Sequence, residues 1–173
     1  LMTKIMLING SPRKNGNTDS LLTAFMEKAE QAGAATRTIP VAKAGIAACK
    51  GCGYCETHGT CIITDDPMAT EIYGLMRQAD LIVAASPVFF YGISAQLKGL
   101  IDRSQTLWSR KYVYKLKDPL AATRRGVLFS VAASHGSAVP IASASSVPSA
   151  LTAASTSKNS ASVVGSSSPS SLK

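Results

Sequence analysis

All four cysteines of the chain fall within one short segment, Cys49-x2-Cys52-x2-Cys55-x5-Cys61. Cysteines that staple distant elements by disulfides are spread along a sequence; gathered in one loop they suit a shared ligand. As thiolates they can hold a [4Fe–4S] cluster or a tetrahedral zinc ion, or the loop can stand as bare thiols. Zinc sites usually pair two C-x2-C knuckles across a longer spacer. Three cysteines in consecutive C-x2-C steps look more like a ferredoxin loop. Gly51, Gly53 and Gly59 let the backbone wrap tightly and turn N–H groups toward sulfur. His58, within the same segment, is redundant as a fifth ligand and reads as a surface residue.

A second segment has the chemistry of an anion site. The apolar strand Lys4-Ile5-Met6-Leu7-Ile8-Asn9 runs straight into Gly10-Ser11-Pro12-Arg13-Lys14-Asn15-Gly16-Asn17-Thr18. A Gly/Ser/Asn/Thr turn between a strand and a helix offers backbone N–H groups and a helix N-terminus to a phosphate. Ser11, Asn17 and Thr18 add side-chain donors, Arg13 adds positive charge, and Asn15 lies in the same turn. No Lys follows Gly16, so this is not a Walker A loop, and the Gly-x-Gly-x-x-Gly dinucleotide fingerprint is missing. A third segment, Ser86-Pro87-Val88-Phe89-Phe90-Tyr91-Gly92, follows another apolar run and offers flat apolar surface beside backbone donors, as an isoalloxazine ring requires.

The elements that must position these segments alternate. After the first strand, Thr18 or Asp19 can cap a helix carrying Leu21, Leu22, Phe25, Met26 and Ala29 on one face, ended by Gly33. A strand is expected over 36–41, then the cysteine loop and a helix over 68–78 with Ile72, Leu75 and Met76 inward. Asp65-Asp66, before Pro67, reads as a cap with favourable first-turn charge rather than an acid–base pair. Residues 80–87 read as a strand buried on both faces, followed by a helix over 94–104 and a strand over 126–132. This α/β alternation predicts a doubly wound parallel sheet of order 2-1-3-4-5 with right-handed crossovers. In that order FMN sits at the switch point between the first and third strands, where the second and third segments fall. Trp108 and Tyr112 suit a flavin-side or subunit-contact wall, or plain core packing.

With 173 residues, 46% of them hydrophobic, the chain has room for one domain with a good core. The first apolar run is ended at once by Gly-Ser-Pro, which makes it a strand rather than a signal peptide or a membrane span. A reducing cytoplasm is the expected location. The net charge of +8 is concentrated at Arg110, Lys111, Lys115, Lys117, Arg124 and Arg125. These form a solvated loop or a surface for an acidic redox partner or a phosphorylated dinucleotide. No nucleic-acid motif accompanies them.

At these residues the chain resembles the NADPH-dependent FMN reductase family of the flavodoxin-like superfamily. The turn at 10–18, the segment at 86–92 and Gln96-Leu97-Lys98-Gly99-Leu100-Ile101-Asp102-Arg103 match its landmarks. The cysteine loop, closed by Cys61-Ile62-Ile63-Thr64-Asp65-Asp66, is similar to the iron–sulfur flavoprotein branch, whose compact motif holds a [4Fe–4S] cluster. The resemblance covers 4–136. It implies that Ser11, Arg13, Asn17 and Thr18 hold the FMN phosphate. It implies that Pro87, Val88, Phe89, Tyr91 and Gly92 line the ring and ribityl chain, with Ala133, Ser134, His135 and Gly136 on the ring's far side. His135 would hydrogen-bond the ring or a substrate, or be an ordinary loop histidine. Cys49, Cys52, Cys55 and Cys61 would hold the cluster.

The activity so implied is redox. NAD(P)H or a ferredoxin-like protein would donate electrons to FMN, which would pass them to flavin, quinone or oxygen species in a dimer or tetramer. The cofactor does the chemistry, and no side chain is required as a nucleophile or base. The alternatives are a flavodoxin-like carrier without substrate turnover and a non-catalytic product with an altered C-terminus. That last alternative arises because 137–173 turns abruptly Ser/Ala-rich, the composition of a low-complexity tail. Such a tail leaves the fifth strand in doubt and suggests a frameshifted or altered end. Without a fifth strand, the fourth would present a bare, aggregation-prone edge.

Overall fold

The computed structural model describes residues 2–120 and 122–132 and the backbone of a strand at 162–166. Four parallel strands form the body of one sheet: β1 (Lys4–Asn9), β2 (Ala35–Pro40), β3 (Leu81–Pro87) and β4 (Arg125–Ala132). The helices between them are α1 (Asn17–Gln31), α2 (Tyr54–His58), α3 (Tyr73–Gln78), α4 (Ala95–Arg103) and α5 (Gln105–Tyr112). A π-helical turn, Met68–Ile72, runs directly into α3. A fifth strand, β5 (Ser162–Ser166), pairs parallel with β4 and completes the order β2-β1-β3-β4-β5.

The sheet order follows the prediction, and β5 settles its doubtful member. The edge of β4 is paired, not bare, and the strand lies inside the stretch where the sequence showed no strand pattern. The rest of the Ser/Ala-rich segment, and the domain boundary drawn at 136/137, lie outside the described residues.

Alternation along β1 explains why the strands read as unbroken apolar runs. Ile5 and Leu7 face one side with Leu22, Val83 and Phe129, against which Phe25 and Met26 of α1 pack. Met6 and Ile8 face the other side with Met68, Ile72, Met76, Leu97 and Leu100. Helices therefore cover both faces, and Phe25 meets Phe129 edge-on at 5.9 Å. Each aliphatic side chain so buried contributes about 1.5–3 kcal/mol.

One helix boundary and one charge cluster differ from expectation. Helix α1 begins two to three residues earlier than the expected cap at Thr18 or Asp19, with Gly16 at its cap and Thr18 already buried in the first turn. Asp19 does not cap it, because its carboxylate turns back into the preceding loop. The basic stretch also divides. Arg124 is not a solvated charge: it is 1% exposed and donates to Asp118, Ala79 O and Arg77 O. Burial pushes the Asp118 carboxyl up, but the hydrogen bonds from Arg124 and Leu120 outweigh it and hold the group below its ordinary value.

Candidate functional site

Strands β1 and β3 are neighbours, in register from Ile5 opposite Leu81 to Asn9 opposite Ala85. Both loops singled out in the sequence therefore leave the sheet at the same end. They are tied at their root, where Gly10 N donates to Ala85 O at 2.7 Å. A Cβ on Gly10 would lie 2.8 Å from that carbonyl and 3.1 Å from Leu97 Cβ, so no other residue fits the crossing.

Beyond Gly10 the phosphate turn is shaped from inside. Asn9 Oδ1 accepts from Ser11 N at 2.9 Å, and Ser11 Oγ accepts from Arg13 N at 3.2 Å. Asp19 Oδ2 accepts from Asn15 N at 2.6 Å, while its other oxygen accepts from Asn9 Nδ2. Asn15 takes a positive φ of 54°, a conformation that asparagine tolerates better than most residues. The structure thus gives Asn9 and Asp19, which the sequence did not single out, the task of holding the turn. Of the predicted phosphate contacts, Arg13 and Asn17 are exposed and Ser11 is half-buried, but Thr18 is buried at 3% exposure. Thr18 therefore packs beneath the turn and does not stand on its surface.

The third segment closes on itself. Phe89 and Gly92 exchange two backbone hydrogen bonds of 2.9 Å, leaving Phe90 and Tyr91 as the two central residues of the turn. Both have positive φ, 43° and 63°. That pattern is the mirror-image hairpin turn normally built from Asn and Gly, so two bulky aromatics sit there under backbone strain. Phe90 is fully exposed and Tyr91 two-thirds exposed. Ser86 Oγ, buried, accepts from Ser94 N at 2.9 Å, and Ser94 Oγ accepts from Leu97 N at 3.2 Å. This relay sets the turn against the start of α4. Val88 N donates to Val131 O at 2.9 Å, tying the segment to β4 as well. The expected far-side contacts Ala133, Ser134, His135 and Gly136 lie outside the described residues.

Cys49, Cys52, Cys55 and Cys61 line one cavity of about 260 Å³, together with Gly51, Gly53, Arg103 and Thr106. Gly51, Gly53 and Gly59 all adopt positive φ, between 64° and 70°. The first two thiols are exposed and the last two half-buried. Among the described residues no three His, Cys, Asp or Glu side chains stand close enough to bind a metal together. The donor set, four thiols around one cavity with a buried guanidinium in its wall, fits an anionic thiolate-bound group, which requires the thiols to draw together. His58 is not part of that set. It stacks on Tyr54 at 3.8 Å and contacts Thr57 Oγ1 at 2.7 Å, within α2.

Asp66 does more than the expected capping. Its Oδ1 accepts from Ala69 N at 3.1 Å, as a cap would, but the carboxylate is buried and forked onto Arg103. Burial pushes it up, yet the hydrogen bonds from Arg103, Ala47 and Ala69 prevail and hold it below its ordinary value. A second cavity of about 260 Å³ lies across Cys61, lined by Thr60, Tyr73, Arg77, Thr106 and Arg110.

Against known proteins, the profile of the NADPH-dependent FMN reductase family matches residues 3–166. The chain belongs to the NADPH-dependent FMN reductase family. The match runs past the 4–136 expected from the motifs and takes in β5. Within this family the chain is similar to a Methanosarcina thermophila protein named iron-sulfur flavoprotein. The two are 41% identical over 114 residues, which cover 66% of this chain and 59% of that one. It is also 42% identical over 104 residues to an iron-sulfur flavoprotein of Methanocaldococcus jannaschii, covering 60% of this chain and 53% of that one. The chain thus spans little more than half the length of these relatives.

Among solved structures, the FMN reductase fold seen here resembles an NAD(P)H:quinone oxidoreductase from Methanothermobacter marburgensis. The TM-score is 0.67 at 16% identity, covering 95% of this chain and 86% of that one. It also resembles an azoreductase from Bacillus anthracis, with a TM-score of 0.64 at 16% identity, covering 94% and 86%. Among the described residues no helix is long and apolar enough to cross a membrane.

Proposed function

We propose that the chain is an FMN-dependent oxidoreductase that moves electrons from NAD(P)H or a ferredoxin-like donor, through FMN and a [4Fe–4S] cluster, to flavin, quinone or an oxygen species. The observation that carries this reading is the tie between the two loops, Gly10 N to Ala85 O, at the switch point of the sheet. It sets a phosphate turn and an aromatic turn side by side at one end of the sheet, where one flavin mononucleotide would touch both. Bound there, FMN supplies the step between two-electron and one-electron chemistry.

The chain's own part is to bind and orient. Backbone donors and Ser11, Arg13 and Asn17 take the phosphate, with Asn9 and Asp19 holding the turn open. Pro87, Val88, Phe89, Tyr91 and Gly92 take the ring and ribityl chain. Cys49, Cys52, Cys55 and Cys61 take the cluster, a reading supported by the names of the relatives and by the single cavity the thiols share. The exposed Phe90 and Tyr91 support a homodimer or tetramer that covers them. The basic residues Arg110, Lys111, Lys115 and Lys117 support docking of an acidic electron-transfer protein in the cytoplasm.

An anaerobic absorption spectrum with iron and sulfide analysis tests this directly. Flavin bands with about four irons and four sulfides per chain are expected. Protein that stays colourless after FMN is added sinks the proposal. Flavin without iron leaves an FMN reductase with spare cysteines, and NADH and NADPH oxidation then separates that from an electron carrier.

A further inference from the structure

Arg103, the last residue of α4, is 1% exposed, and its side chain donates four hydrogen bonds. Nη1 donates to Asp66 Oδ2 at 2.7 Å and to Ala47 O at 2.9 Å. Nη2 donates to Asp66 Oδ1 at 3.1 Å and to Ile63 O at 3.2 Å. Asp66 Oδ2 in turn accepts from Ala47 N at 3.0 Å. Ala47 and Ile63 each stand two residues outside the cysteine segment, one before Cys49 and one after Cys61. One guanidinium–carboxylate fork therefore closes the loop at its stem.

The same side chain forms part of the cavity wall that the four cysteines share. Its Nε is buried and meets no acceptor, and a buried donor left unanswered is unfavourable. The fork that knits α4 to the loop uses Nη1 and Nη2 and leaves this donor over.

We propose that Arg103 is the positioning residue of the cysteine site, fixing the loop stem so that four thiolates face one cavity and setting a positive charge and an N–H donor against the anionic group they bind. This rests on the reading that the cysteines are ligands. Placed so, the charge favours the more negative, reduced form of that group and raises its reduction potential.

The test uses the full chain with FMN bound, comparing wild type, R103K and the charge-neutral pair R103M/D66N. FMN affinity serves as the check of folding. Cadmium ion is titrated into the reduced apoprotein and followed by thiolate-to-metal absorption, and the midpoint potential of the iron-reconstituted protein is measured separately. We expect R103M/D66N to bind cadmium at least tenfold more weakly. Its one-electron reduction should be about tenfold less favourable, a shift of about 59 mV to lower potential. R103K keeps the charge but loses the fork, so it should hold the potential near wild type while still binding cadmium weakly.

Equal cadmium affinity in folded R103M/D66N, or an unchanged potential in it, overturns the proposal. If R103M/D66N fails to bind FMN, R103K decides: wild-type cadmium affinity there overturns it. Should wild type bind cadmium through its thiols but never take iron, the cluster reading fails, while the cadmium series still decides the positioning role.

Discussion

The phosphate turn and the cysteine loop are both irregular segments that begin at the end of a parallel strand, yet they are held in opposite ways. The turn is fixed residue by residue: Gly10 against Ala85, Ser11 against Asn9, Asn15 against Asp19. The cysteine loop is fixed at its stem by Arg103 and Asp66, while Cys49 and Cys52 stand exposed. The first site is shaped before its ligand arrives, so binding costs little ordering; the second relies on its ligand to gather the donors.

Breaking the turn at its root should have the largest effect. Gly10→Ala forces a Cβ to within 2.8 Å of the Ala85 carbonyl, and overpacking of that kind costs about 1–3 kcal/mol. FMN affinity, read by flavin fluorescence quenching, should fall at least a hundredfold; retention of wild-type affinity would show that the two loops need not meet there. Asp66→Ala attacks the other region. It strands a buried guanidinium and should lower stability by about 3–5 kcal/mol in urea unfolding, and iron uptake with it, while FMN binding in the folded fraction stays near wild type.

The same carboxylate gives the comparison a pH axis. Because Asp66 is held below its ordinary value of 3.8 in the folded chain, its contribution is full above that value. It is lost as pH falls through the lower folded-state value. Asp66→Asn should flatten that acid limb of the urea midpoint, and an unchanged limb would assign it to other carboxylates. Asp19→Ala removes the inner brace of the phosphate turn and should weaken FMN about tenfold, the worth of one charge-assisted hydrogen bond; tighter binding would mean that Asp19 chiefly repels the phosphate.

Smaller effects sharpen the contrast. Phe90→Asn with Tyr91→Gly relieves the positive-φ strain and should stabilise the fold by about 1 kcal/mol while weakening FMN. Stabilisation without loss of FMN would deny those rings a role at the flavin. Lys98→Ala breaks an exposed pair with Asp102 and should change stability by no more than about 0.5 kcal/mol.

What could be read in the sequence was whatever lies in contiguous residues. Apolar runs gave β1 and β3, turn chemistry marked the two loops, and cysteine spacing marked the third site. What escaped depends on partners far apart in the chain. Asp66 and Arg103 are 37 residues apart; Asp66 reads locally as a helix cap and Arg103 as the end of a helix, and only the fold brings them together as a buried pair. Arg124 was grouped with exposed cations for the same reason. Helix α5 was missed because Ser104 ends α4 and begins α5 with no Gly or Pro between them. The short α2 lies within the cysteine loop, where five residues are too few to show a period. Strand β5 is composed of Ser, Val and Gly without a clear alternation, and it is the pairing with β4 that marks it as a strand.

The inner position of β1, between β2 and β3, has a further consequence during synthesis. Ile5 emerges first but is paired on its inner side by Leu81, and Asn9 by Ala85. At roughly 5–20 residues per second, the apolar β1 waits about 4–15 seconds for that neighbour. The thiols emerge within this interval, and Arg103 only after it. The nascent chain therefore offers four thiols together with an apolar β1 that has only β2 beside it, and until β3 covers the inner edge of β1 both are open to oxidation and to association with other chains.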